Sequence, residues 1–193
     1  MARMKAILAG LSVATIAGCS AIAGSDVTEE SRAERKPPFS GPANTEYAAA
    51  LWSTLEANRM VGANTAKTHP YAGQQPHGGV LELIEGRITV DDTEGLALVK
   101  KNYRAENLDS QQLIDAVLDD QKRHLASVTV MFQREGGYDP DHDNWYWAKY
   151  APDGSLLTNP KGMKLGGRVA KGANKGCIAC HQAAPGNDYI FTH

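Results

Sequence analysis

The sequence predicts an α+β fold: a mainly antiparallel β-sheet with flanking helices, in one domain of a 193-residue chain. Three observations carry this. Several stretches of β-branched and aromatic residues alternate with period two. Two stretches carry apolar residues at helical spacing. Clusters of Gly, Pro, Asn and Asp punctuate the chain between them. There is no internal repeat. The formal net charge of −2 argues against nucleic acid as a partner.

The N-terminus reads as an address. Arg3 and Lys5 form a positive start, and Ala6 to Ala17 is an apolar run too short to span a bilayer comfortably. It ends in Ile16-Ala17-Gly18-Cys19, a lipobox-like sequence. Residues 1–18 are expected to be a lipoprotein signal peptide, with Cys19 acylated and holding the chain to a membrane in the periplasm. An ordinary secretory leader is the alternative, and either exports the chain. Residues 19–43, rich in charge, Ser, Pro and Gly from Ser25 to Gly41, are expected to be a flexible tether. Residues 44–193 form the domain.

Asn44 to Met60 is the first expected helix, with Asn44 or Thr45 as cap and Glu46 in the first turn; Tyr47, Leu51, Trp52 and Leu55 share a face. His69 to Gly79 is a loop. Val80 to Ile84 is a strand that Gly86 ends. Gly95 to Tyr103 is the next, with Leu96, Leu98 and Lys100 on one face and Ala97, Val99 and Lys101 on the other. Ser110 to His124 reads as a second helix capped by Asp109 or Ser110, with Leu113, Ile114, Val117 and Leu118 as its stripe. Ala126 to Gln133 and Asn144 to Tyr150 are strands, separated by Gly136-Gly137 and Asp139-Pro140 turns. Asn159 to Gly176 is a Gly- and Lys-rich loop.

Cys177-Ile178-Ala179-Cys180-His181 is a C-x-x-C-H motif, the attachment signature of c-type haem. Two cysteines at this spacing can each form a thioether to one porphyrin vinyl group, and the adjacent histidine can ligate the iron. A zinc site needs four ligands, and there is no second cysteine pair. A thioredoxin-like motif needs a strand before it and a helix after it, which Gly172, Gly176 and Pro185 fit poorly. Cys177 and Cys180 are therefore the expected attachment residues of one haem c, and His181 the expected axial ligand.

Three residues can fill the sixth iron position: His77, Met131 and Met163. Met131 reads better as core filler and His77 as a residue that fixes its loop. Arg134, Lys149 and Lys164 are candidates for pairing with the propionates. Glu82, Glu85 and Asp188 are candidate proton acceptors.

The combination of PYAGQQPHGG, ALVKKNY, VTVMFQREGGYDP, NWYWAKY, CIACH and NDYIF resembles the cytochrome P-460 family and its relatives, the β-sheet cytochromes c-prime. The likeness runs from about Tyr71 to Phe191; Ser110 to His124 looks like an added helix. It implies a single haem c with His181 proximal and an open distal face. It also implies oxidation of hydroxylamine and related nitrogen species, or else non-enzymatic binding of nitric oxide and similar gases. P-460 enzymes carry a lysine–porphyrin bond, and the lysine of their VK strand corresponds to Lys100. Many have an acidic residue next, where this chain has Lys101. The expected partners are a small nitrogen ligand, a periplasmic electron-transfer partner and the membrane through the N-terminal lipid. The oligomeric state is left open between monomer and homodimer.

Overall fold

The structure is a computed structural model that describes residues 38–191. The expected signal peptide, Cys19 and most of the expected tether lie outside the described residues. The last tether residues do not stand apart from the domain. Phe39 is buried and bridges to Gly167, and Ser40 N–H donates to the Gly166 carbonyl at 2.9 Å.

Helix α1 (Pro42–Ala57) starts two residues earlier than the sequence suggests. Pro42 occupies its first turn, where a fixed φ suits the helix and a missing N–H is no loss. No side chain caps it, and Glu46 falls beyond the first turn. The predicted face is the buried one: Tyr47, Leu51, Trp52 and Leu55.

The sheet has six strands in the order β1 to β6, each antiparallel to the next. They are β1 (Tyr71–Ala72), β2 (Val80–Val90), β3 (Thr93–Tyr103), β4 (Leu125–Gln133), β5 (Trp145–Tyr150) and β6 (Gly166–Gly167). Gly86 does not end β2. It pairs with Ala97, and the ladder runs unbroken from Val80↔Tyr103 to Val90↔Thr93. The burial of Ile88 and Val90 beyond the glycine repays its low strand propensity. Gly95 is required in β3, because a Cβ there would come within 1.9 Å of the Gln133 carbonyl oxygen.

Between β3 and β4 the expected single helix is two. Helix α2 (Ser110–Asp119) has a full capping box between Asp109 and Gln112, and α3 (Gln121–His124) is one turn. The break falls at Asp120, whose backbone leaves the helical region (φ −143°, ψ 89°) while its carboxylate caps Arg123 N–H. Leu113 and Val117 are buried, but Leu118 faces out, 56 % exposed.

The sheet has two apolar faces. On one, α1 packs against Val99, Val130, Phe132, Tyr146 and Tyr150. Each such side chain taken fully out of water contributes about 1.5–3 kcal/mol. Two tyrosines also tie helix to sheet: Tyr150 donates to the Ala48 carbonyl at 2.9 Å and Tyr146 to that of Asn44 at 2.6 Å. On the other face Leu98, Met131, Trp145 and Trp147 receive Phe39, Val169 and Ile178. The predicted alternation of β3, β4 and β5 is what sorts these side chains. No described helix is long and apolar enough to cross a membrane.

Candidate haem site

The C-x-x-C-H motif forms helix α4 (Cys177–His181), a little over one turn. Ile178, 1 % exposed, fixes it to the apolar sheet face opposite α1. The Cys177 and Cys180 thiols are free. Cys177 is half-buried and Cys180 exposed. Burial pushes the Cys177 thiol above its ordinary value, partly offset by the charge of Lys149.

His181 is buried, 7 % exposed, among aromatic rings. Trp147 lies edge-on at 4.9 Å between ring centroids and Phe191 at 5.3 Å. Its Nδ1 stands 2.6 Å from the Tyr189 carbonyl oxygen. A carbonyl only accepts, so Nδ1 carries the proton and donates, and Nε2 is left as the lone-pair nitrogen. That is how a metal-ligating histidine is ordinarily oriented. Burial, with Lys100 nearby, holds the imidazole below its usual range, against the pull of the Tyr189 carbonyl.

The sheet supplies a polar row on the same face. Leu83, Lys100, Thr129 and Lys149 are cross-strand neighbours in register. Lys100 Nζ donates to the Phe191 carbonyl at 3.3 Å. Burial pushes both lysines below the ordinary ammonium value, and for Lys149 the charge of Arg104 adds to it. His77 stands over this row. Its Nδ1 is 3.4 Å from Thr129 Oγ1, and its ring centroid is 6.0 Å from that of His181. Burial first, then the charges of Lys100, His181 and Lys149, push its pKa down to about 4, so the ring is neutral at pH 7.

Several expected residues fall elsewhere. Glu82 is fully buried on the α1 side, where it accepts from Tyr103 (2.6 Å), Lys101 (3.3 Å) and Gln121 (2.8 Å). It is no proton acceptor for this face. Lys101, where the family often has an acid, points to that same buried partner and away from α4. Arg134 lies over the rings of Tyr47 and Tyr138 and pairs with Glu135, also on the α1 side. Lys164 is exposed. Asp188 closes a turn by accepting from Ile190 N–H at 2.9 Å. Met131 and Met163 belong to the apolar cluster beneath α4. Glu85, by contrast, stays on the α4 face, exposed and in register with Leu98. Sequence reasoning missed Thr129 and Tyr189. The one is an ordinary strand residue, and the other acts through its backbone.

These residues fit a haem c. Two free thiols stand three positions apart on one helical turn, beside an imidazole with Nε2 free, against an apolar wall. Trp147 Nε1 is buried beside His181 with no hydrogen-bond partner among the described residues. Such an orphaned donor suits an acceptor seated between α4 and the sheet, as a porphyrin carboxylate would be. Cys177 and Cys180 would hold the ring and His181 its iron.

No curated protein and no solved structure matches the chain. The family model Cytochrome P460 matches residues 86–192, from the middle of β2 to beyond α4. That span is more than half of the chain and takes in the lysine row, the tryptophan strand and the C-x-x-C-H turn. The chain therefore belongs to the cytochrome P460 family and is a c-type cytochrome with covalently held haem.

Proposed function

We propose that this cytochrome is exported, anchored at an acylated Cys19, and oxidises hydroxylamine or a related small nitrogen species at its haem. Support comes from one observation above the rest. Lys100 brings a half-buried amine, depressed below its ordinary pKa by burial, to the sheet face that carries His181. Burial raises the share of that amine in the neutral form, which is a nucleophile and a hydrogen-bond partner. Each electron removed from hydroxylamine must pass to an external acceptor, and the matching protons must leave. A periplasmic electron-transfer partner would take the electrons.

Turnover of hydroxylamine by the purified holoprotein with a one-electron acceptor dye tests this reading. Lys100→Leu should lower the rate while leaving haem content unchanged. No turnover by wild-type protein would favour a second reading, a non-enzymatic gas-binding or electron-transfer cytochrome. The opposed rings of His77 and His181 support that one.

A further inference from the structure

We propose that His77 is the second axial ligand of the haem iron in the resting protein, so that a small molecule reaches the metal only by displacing it. The inference rests on the reading of Cys177, Cys180 and His181 as the haem site, and holds whether or not hydroxylamine is the substrate.

The first argument is spacing. The ring centroids of His77 and His181 are 6.0 Å apart, with planes at 82°. An imidazole nitrogen binds a transition metal at about 2 Å, which puts the centres of two imidazoles sharing one metal about 6 Å apart. A distal histidine that only hydrogen-bonds an iron-bound molecule has to stand further off, by the bonds of that molecule.

The second argument is orientation. In each ring Nδ1 is engaged by the protein, in His181 by the Tyr189 carbonyl at 2.6 Å and in His77 by Thr129 Oγ1 at 3.4 Å. In His181 this leaves Nε2 as the lone-pair nitrogen, and in His77 it holds the ring over the lysine row, where Asn102 is a second hydrogen-bond partner.

The third is that the loop carrying His77 is fixed. Gly73 N–H donates to the Gly79 carbonyl at 2.9 Å, and Arg104 donates to the carbonyl of Pro76 at 3.2 Å. Gly78 has φ +153°, and a Cβ there would lie 2.8 Å from the Tyr103 carbonyl oxygen. Met131 and Met163, the other candidate ligands, pack into the apolar cluster, and Lys100 Nζ is turned to the Phe191 carbonyl.

The test is spectroscopic and uses the full-length holoprotein. Optical and electron paramagnetic resonance spectra of the ferric and ferrous states should show a six-coordinate, low-spin haem. His77→Ala and His77→Phe should keep the haem covalently attached, become high-spin, and bind cyanide about tenfold faster or more, since the closed state no longer competes. Added imidazole should return His77→Ala to low spin. A high-spin wild-type haem, or a low-spin spectrum that survives both substitutions, overturns the proposal. Should neither variant take up haem, pulsed resonance on wild-type protein labelled with 15N-histidine decides it. Two coupled imidazoles support the proposal and one overturns it. Hydroxylamine turnover is measured separately, so failure of the enzymatic reading leaves this result untouched.

Discussion

His181 Nδ1 and the carbonyl oxygen of Tyr189 are 2.6 Å apart, and Tyr189 makes that contact from a left-handed backbone conformation, φ +66°. An L-residue pays about 1–2 kcal/mol to sit there. Three side-chain contacts hold it. The Tyr189 hydroxyl donates to the Asp141 carbonyl at 3.1 Å, and its ring meets those of Trp147 and His142. The orientation of the axial imidazole thus depends on a loop that closes back from beyond the haem motif.

Tyr189→Gly and Tyr189→Val separate conformation from packing. Both lose the ring, but glycine adopts φ +66° freely and a β-branched residue does not. The valine variant should be less stable than the glycine variant by about 1–2 kcal/mol in denaturant unfolding. It should also show the larger rise in haem reduction potential, because an imidazole that loses its Nδ1–H acceptor stabilises ferric iron less. Equal potentials in the two variants would count against the carbonyl contact.

The buried Glu82–Lys101 pair predicts a second pattern. Lys101→Met leaves the Glu82 carboxylate without its cation and should cost about 3–5 kcal/mol. Glu82→Gln in the same chain removes the stranded charge, and its amide can still accept from Gln121 through the oxygen while its NH2 donates to the Tyr103 hydroxyl. The double variant should recover most of the loss in urea unfolding. Haem attachment should be unaffected in both, since the pair lies on the α1 face.

Lys171 gives a pH signature. It contacts Asp139 and, at 3.2 Å, Asp141, while Asp139 also faces His142 at 2.9 Å. The bond to Asp139, more than the weaker one to Asp141, raises the Lys171 pKa above its ordinary 10.5. A raised folded-state pKa gives stability that is complete below the unfolded value and is lost as pH climbs through the folded one. Lys171→Met should therefore cost about 1 kcal/mol, a figure held low by solvent screening. The gap between wild type and variant should be flat at neutral pH and close only above pH 10.5.

The face of each strand was legible in the sequence, because a period of two sorts Leu98 and Lys100 from Val99 and Lys101 without reference to anything distant. So was the haem motif, whose spacing carries its own chemistry. What failed was punctuation. Gly86 looks like a break, but an eleven-residue ladder to β3 overrides one weak position. Asp120 gave no sign of a break, since it acts as C-cap of α2 and N-cap of α3 at once. His77 was ambiguous because a histidine between proline and glycine is ordinarily a loop residue. Only the fold brings it over Thr129 and opposite a residue more than a hundred positions away.

The last prediction concerns Lys100 and the lysine–haem bond that the family resemblance implies. Its place in register between Leu83 and Thr129 sets the side chain on the face of α4, and Nζ reaches the Phe191 carbonyl at 3.3 Å. Burial disfavours the ammonium form, so a larger share of the amine is neutral and nucleophilic than in a solvated lysine. Bond formation joins Nζ to a porphyrin carbon and removes one N–H and one ring C–H. Two protons and two electrons leave, so an oxidant of the peroxide class is required. Tryptic mapping of holoprotein matured with such an oxidant should find the Lys100 peptide joined to the haem peptide containing Cys177 to His181. Lys100→Leu should abolish the joined species and restore an ordinary haem c spectrum. Lys100→Arg should do the same, because a guanidinium keeps the charge but is never the neutral amine the reaction needs. Recovery of a free Lys100 peptide from the matured wild-type protein would show that the amine serves the site only by hydrogen bonding, and would move the assignment toward the gas-binding or electron-transfer cytochrome.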